Sequence, residues 1–360
     1  MTRPVFIADS GLLCARGAGS EAVANALWAG ESNCSQYTIG ERRFPYFALP
    51  LTESDWLTRA EFAVTAVAQQ LGGLDEKIPL FVASSSFQIG QFEQRGAPFA
   101  LPAASASFSK TIAKWMGLSG ACSSFSSACI SGFSAIDAAR CLIASGLIDE
   151  VIVIGVELAN RSTLAGFAAM ELLSTTSCKP FDARRDGLVL GEAIAAIRLS
   201  AMPARWRIAG LRTGIDGYSM TGPDPTGTVI AQLAVDTLKE ANFQAGDIEL
   251  VKLQAAGSPG TDLAEANALR QVFGQAMPRL LSLKSMLGHS LGASGIAELA
   301  TLLACLRHDQ IPATAGFASV DPEIALFPDV DRSNAHIERA MLNLIGFGGG
   351  LATMIIERQP

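Results

Sequence analysis

Residues 126–144 read Ser126-Ser-Ala-Cys-Ile-Ser-Gly-Phe-Ser-Ala-Ile-Asp-Ala-Ala-Arg-Cys-Leu-Ile-Ala144. Small residues crowd the first seven positions and mark a tight turn. The remainder of the stretch is apolar and Ala-rich at helical spacing, which predicts a helix over Ser131–Ser145. Directly after it, Glu150–Val156 is a short apolar run, the pattern of a buried strand. The alternation extends both ways. Strands are expected at Pro4–Ala8, Pro79–Ala83, Ala193–Leu199, Ile248–Leu253, Leu280–Leu283 and Ala352–Ile356, and helices at Glu21–Ala29, Arg59–Leu71, Phe108–Met116, Val229–Ala241, Asp262–Phe273 and Gly295–Arg307. Such a series specifies layered α/β architecture and argues against a helix bundle or a sandwich. Ser294-Gly295 opens a second apolar helix carrying Cys305-Leu306, an echo of Ser131-Gly132 and Cys141-Leu142 about 163 residues earlier. The echo implies two related halves, residues 1–200 and 201–360, meeting at the connection Ser200-Ala-Met-Pro203.

A chain of 360 residues with 49% hydrophobic and 17% charged side chains can bury a substantial core without disulfides. The net charge of −7 argues against a nucleic-acid partner, whose phosphates need a basic surface. Seven cysteines, an odd number with no CxxC pair, fit a reducing, cytoplasmic setting. The opening Met1-Thr-Arg-Pro-Val-Phe-Ile-Ala-Asp lacks a leader's apolar segment, and no run of about 18 apolar residues occurs, so neither export nor a membrane span is expected. Only three histidines, His289, His308 and His336, are present, which restricts any chemistry needing paired imidazoles.

Cys129 sits just before the helix at Ser131. There a thiol feels the positive end of the helix dipole and unpaired backbone N–H groups, both of which favour the thiolate. A plain buried helix-start cysteine is the alternative. The run Gly346-Phe-Gly-Gly-Gly350 lacks a Lys-Ser/Thr ending and leads into a strand, so it reads as a turn for close backbone approach before it reads as a phosphate loop.

The Cys129 segment resembles the Thr-Ala-Cys-x-Ser-Gly motif of the β-ketoacyl-acyl carrier protein synthases, condensing enzymes of the thiolase fold. Four further blocks match in that family's order: Lys179-Pro-Phe-Asp-Ala-Arg-Arg-Asp-Gly-Leu-Val-Leu-Gly-Glu192, Met220-Thr-Gly-Pro223, Leu283-Lys-Ser-Met-Leu-Gly-His-Ser-Leu-Gly-Ala-Ser-Gly295 and Gly346-Phe-Gly-Gly349. The resemblance implies a five-layered αβαβα fold with the site between two pseudo-repeated halves. It implies Cys129 as the acyl-accepting nucleophile and the N–H groups of Cys129 and Phe347 as the oxyanion hole, with Phe347 also gating an acyl tunnel. His289 would stabilise the thioester enolate, Lys284 would support it electrostatically, and Thr221 would bind the phosphopantetheine arm. No metal or resident cofactor is implied, since phosphopantetheine arrives on the acyl carrier protein.

One block departs from the pattern. Where the family reads Ala-His-Gly-Thr, this chain reads Ala255-Ala-Gly-Ser-Pro-Gly-Thr261, which puts Ala256 at the first catalytic histidine position. Acylation of Cys129 should survive. Decarboxylation, whose enolate charge two imidazoles normally share, should be impaired, because losing one such donor typically costs roughly 10²–10³ in rate. Gln254, two residues back and on the same face if the strand continues past Leu253, could offer an amide in its place. The resemblance therefore implies a chain-length-factor-like subunit paired with an active ketosynthase through a strand within Leu118–Ala128, aryl polyene or polyketide pathways being a suitable home. A homodimer is the other assembly. A non-elongating acyltransferase using Cys129 and an active 3-oxoacyl synthase remain as alternatives. Sparse positive charge around Arg59, beside Glu53, Asp55 and Glu61, implies weakened carrier docking. Gly288-His-Ser-Leu-Gly292 also satisfies G-x-S-x-G, which would make Ser290 a hydrolase nucleophile with His336 as base. His308 and His336 otherwise read as surface residues.

Overall fold

The computed structural model describes residues 3–96 and 101–360, so Met1 and Thr2 of the opening segment lie outside the described residues. Ten strands carry the fold: β1 (Phe6–Cys14), β2 (Leu80–Ala83), β3 (Cys122–Phe125), β4 (Glu150–Glu157), β5 (Ala193–Ser200), β6 (Trp206–Ile215), β7 (Leu250–Lys252), β8 (Arg279–Leu281), β9 (Arg339–Ile345) and β10 (Gly350–Arg358). Six helices cover them: α1 (Trp56–Ala68), α2 (Leu101–Trp115), α3 (Ser131–Ala144), α4 (Thr228–Ala241), α5 (Pro259–Phe273) and α6 (Ser294–Arg307). The spatial strand order is β8-β7-β9-β10-β6-β1-β5-β4-β2-β3. Read outward from the centre, 1-5-4-2-3 on one side is repeated as 6-10-9-7-8 on the other. The pairings repeat too: antiparallel β1–β5 and β5–β4, then parallel β4–β2 and β2–β3, against antiparallel β6–β10 and β10–β9, then parallel β9–β7 and β7–β8. The two arrays join through only two residue pairs, Phe6 with Arg207 and Ile7 with Trp206.

The layers follow from which faces are apolar. Every residue of α6 from Ser294 to Leu306 is buried, and a helix apolar on all sides belongs inside a domain. It packs on α3 and on strands of the first array, while α3 touches strands of both arrays. Outside them, α1 and α2 cover the first array and α4 and α5 the second. The result is the five-layered thiolase-like arrangement. Helix α5 begins at Pro259, three residues before the sequence expectation, because proline fits the first helical position, where no N–H partner is required. Among the described residues no helix is long and apolar enough to cross a membrane.

Candidate active site

Between β3 and α3 the chain turns sharply. Ala128 takes a positive φ of 49°, an uncommon conformation for a residue with a Cβ. Ser131 Oγ holds the turn, accepting from Ser127 N at 2.8 Å and donating to Ala128 O at 2.6 Å. Cys129 follows, buried, its Sγ 3.1 Å from Nε2 of His289. Burial pushes the thiol up to about 11, against the Phe347 N–H, the Lys284 charge and the Cys129 N–H, which all pull it down. The sequence expectation that the helix start favours thiolate is therefore corrected: desolvation outweighs the nearby N–H groups and Lys284, and the resting group is a neutral thiol.

His289 is pinned by backbone. Its N–H donates to Val189 O at 2.8 Å and its carbonyl accepts from Gly191 N at 3.1 Å, so the end of the 179–192 block sets the imidazole's place. The preceding Gly288 has φ +75°, and a Cβ there would lie 2.7 Å from the Phe47 ring. Nδ1 sits 2.8 Å from Ser294 Oγ, a hydroxyl that can accept from or donate to it and so serves either tautomer. Burial holds the imidazole well below its ordinary pKa, and the charges of Lys284 and Lys252 add to the effect. His289 is neutral.

Lys284 does not line the pocket. It is fully buried and ion-paired to Glu298, whose other oxygen pairs with Lys252, and Lys252 Nζ also donates to Asn343 O at 2.9 Å. Two cations share one carboxylate here, which burial would raise and the two lysines hold below its usual range. Lys252, Glu298 and Ser294 were missed by sequence reasoning. The lone glutamate in the apolar run Gly295-Ile-Ala-Glu298-Leu was the available signal for one of them.

Ala256 is held as firmly as His289. Glu265 on α5 accepts from Gln254 N and Ala255 N, each at 2.8 Å; Asp262 accepts from Ala256 N at 3.1 Å, Gly257 N at 3.2 Å and Phe181 N at 3.0 Å. Cys178 Sγ donates to Ala256 O at 3.2 Å. A cavity of about 20 Å³ brings together Cys129, His289, Ala256, Gln254, Thr221 and Phe347, with Phe167, Leu188, Ser258 and Thr261 also in its wall. Thr221 is exposed at its mouth. The Gly-rich run is a tight turn: Gly348 and Gly349 have φ +74° and +76°, and a Cβ on Gly349 would lie 1.8 Å from Asp216 O. The Phe347 ring stacks on Phe167 at 5.1 Å and 14°. Phe347 also borders a second, open cavity of about 550 Å³, together with Ser127, Ile130, Thr213 and Ile215.

The remaining expectations fall outside this cluster. Ser290 Oγ is buried 3.4 Å from Ser294 Oγ, and the helical turn Lys284–Leu287 separates it from β8, so it occupies no strand-to-helix elbow. His336 lies exposed beside Asp309, and His308 lies exposed against Glu21 and Trp28. The hydrolase reading of Ser290 and His336 is thereby corrected. Arg59 is not a free surface charge: it pairs with buried Glu192 at 2.8 Å.

The profile of the β-ketoacyl synthase N-terminal domain matches residues 68–203, and that of the β-ketoacyl synthase C-terminal domain matches residues 206–318. The chain is 36% identical over 242 residues to 3-oxoacyl-[acyl-carrier-protein] synthase 2 of Mycobacterium bovis, covering 62% of this chain and 58% of that protein. It thus spans less than two thirds of the length of that relative. Its fold resembles the ketosynthase (ApeO) in complex with its chain length factor (ApeC) from Xenorhabdus doucetiae, with TM-score 0.90 and 23% identity over 99% of this chain and 98% of that one. It also resembles the ishigamide ketosynthase/chain length factor, with TM-score 0.89 and 22% identity over the full length of both chains.

Proposed function

The chain belongs to the β-ketoacyl synthase family, and from that premise we propose that it is a cytoplasmic member with an incomplete catalytic set, acting as a chain-length-factor-like partner of a complete ketosynthase. What supports this reading is Ala256: it lines the pocket of the Cys129–His289 pair, and the sequence resemblance aligns it with the family's first histidine. Loading needs a base for the thiol and donors for the oxyanion. Nε2 of His289, 3.1 Å from Sγ, takes the thiol proton, and the N–H groups of Cys129 and Phe347 meet the developing negative charge. Lys284 acts from behind, within the Glu298 ion pairs. Decarboxylation of a malonyl thioester develops enolate charge in a pocket where His289 is the one imidazole, and losing the second lowers the rate by roughly 10²–10³.

The partners follow from this chemistry. Acyl carrier protein delivers the thioester on phosphopantetheine past Thr221, and a ketosynthase homologue pairs along the outer edge of β3 and performs the elongation. Aryl polyene or related polyketide assembly suits such a pair. The short Cys129–His289 contact also favours a second reading, a non-elongating acyltransferase that needs no partner.

Intact-protein mass measurement after exposure to acyl-carrier protein should show one acyl group on Cys129 and none on Cys129→Ala. Malonyl-carrier-protein decarboxylation should be low in the wild type and rise in Ala256→His. Family-typical turnover by the wild type alone would overturn the impairment. Failure to co-purify with any ketosynthase, combined with efficient acyl transfer between carriers, would favour the second reading.

A further inference from the structure

Gln254 is a buried polar side chain of the pocket that this chemistry leaves without a task. Its backbone is fixed by Glu265, its side chain is 3% exposed, and its Oε1 has no hydrogen-bond partner. A buried acceptor left unpaired is costly, and the Gln254 side chain that carries it borders the pocket. The pocket's about 20 Å³ exceeds the roughly 10–15 Å³ needed to place one water, and its wall carries the polar partners a water requires in Gln254, His289, Ser258 and Thr261. The space lies where Ala256 presents only a methyl, in the same cavity as Cys129 and His289.

We propose that Gln254 holds a hydrolytic water in this space and that the site is an acyl-thioester hydrolase, discharging the acyl group it cannot elongate. This rests on the loading of Cys129 argued above. In the acyl-enzyme the Sγ proton has gone to the departing carrier thiol, and Nε2 of His289 again presents a lone pair. Gln254 Oε1 accepts one hydrogen of the water. The water oxygen bonds to the thioester carbon while its other proton passes to Nε2, and the oxyanion rests on the N–H groups of Cys129 and Phe347. The carbon–sulfur bond then breaks and Nε2 returns the proton to Sγ. Carboxylic acid and free thiol are the products, and water is the only co-reactant.

The test loads the full chain with hexanoyl-coenzyme A, removes excess donor, and follows the Cys129 adduct by intact mass in H₂¹⁸O. The wild-type adduct should decay and release hexanoic acid carrying one ¹⁸O. Gln254→Leu keeps the volume and removes the acceptor; its adduct should persist about tenfold longer, the loss expected for one hydrogen bond. Ala256→Val fills the space from the other wall and should prolong the adduct similarly, which keeps the test intact should either variant fold poorly. A wild-type adduct stable for hours, or equal decay in both variants, overturns the hydrolase while leaving the loading reaction standing. No adduct from any donor overturns both.

Discussion

The Phe133 ring occupies the space that a Cβ on Gly295 would need, its Cδ1 2.7 Å from that position, with Leu344 Cδ1 at 2.8 Å. The relationship has a counterpart: Gly132, beside Phe133, faces Ile296, beside Gly295, with Ile296 Cγ1 at 3.0 Å. The central helices α3 and α6 thus approach through reciprocal glycines at their first turns, the turns that present Cys129 and Ser294. Gly295→Ala should lower stability by about 1–3 kcal/mol through overpacking, less the roughly 1 kcal/mol that alanine gains in a helix. Gly132→Ala should be milder, because its nearest atoms are farther away. Gly166, in the helix Arg161–Ala169, has nothing within 4 Å of the position a Cβ would take, so Gly166→Ala should stabilise by about 0.5–1 kcal/mol. Denaturant midpoints measure all three, and the opposite ranking would refute the packing argument.

The echo between Ser131-Gly132 and Ser294-Gly295 was legible because those glycines do the same job twice. The strands beside them were less so. β3 reads Cys122-Ser-Ser-Phe125 and lies at a sheet edge with no buried residue, so no apolar run marks it. In β6 the apolar pattern of Trp206-Arg-Ile-Ala-Gly-Leu is broken where the register shifts between Ile208 and Gly210. Helix α2 starts at Leu101, ahead of the expected Phe108, because the proline and serines of Leu101-Pro-Ala-Ala-Ser-Ala-Ser107 read as a turn. At the site, Cys129, His289 and Ala256 sit in motifs. Phe167 and Lys252 do not: what matters about each is a contact across the fold, with Phe347 and with Glu298.

Two buried acids under the Ala256 strand end give stability a pH signature. Burial lifts Asp262 to about 6 and Glu265 to about 7, from ordinary values of 3.8 and 4.5, although each accepts backbone N–H bonds. The folded state therefore binds more protons than the unfolded chain between about pH 4 and 7. Their contribution is full below about pH 4 and is lost as the pH rises through 6 to 7. Asp182, held low by Arg184 and by backbone N–H groups despite burial, acts in the opposite sense at more acid pH. Urea titrations from pH 5 to 8 should show stability falling with pH, and Glu265→Gln should flatten the slope. An unchanged slope in that variant would rule Glu265 out.

The resting thiol makes a second pH prediction. With Cys129 pushed up to about 11, only a small fraction is thiolate near neutrality, and the thiolate is the species that alkylates. Iodoacetamide labelling of Cys129 should accelerate close to tenfold per pH unit between about 7 and 9. Peptide-resolved mass spectrometry is needed, because Cys141 is exposed and will react too. A plateau near pH 7 would mean that the N–H groups and Lys284 overcome burial after all.

Phe347 lines both the 20 Å³ pocket and the 550 Å³ cavity and is braced by Phe167. Phe347→Ala should join the two spaces, so that long-chain acyl donors load Cys129 relative to short ones more efficiently than in the wild type. Losing the ring pair should lower stability by about 0.5–1.5 kcal/mol beyond the lost burial. Competition between hexanoyl and palmitoyl donors, read by adduct mass, decides the point. An unaltered ratio would show that the ring does not gate.

The free edge of β3 offers the last test. Leu80 N donates to Ala121 O at 2.8 Å and Ser84 N to Phe125 O at 3.1 Å, so residues 121 and 125 face β2. By the two-residue period of a strand, Cys122 and Ser124 turn their N–H and C=O groups outward. Unpaired groups in a row are a template for another strand. Ser124→Pro removes an outward N–H and leaves the inner ladder intact, so it should abolish pairing with a partner chain while the monomer stays folded. Because Ser124 Oγ also contacts Ser109 Oγ at 2.6 Å and Ser105 O at 3.2 Å, Ser124→Ala serves as the control for those lost bonds. Light scattering after size exclusion should find assembly retained in the alanine variant and lost in the proline one. Assembly that survives Ser124→Pro would place the interface elsewhere.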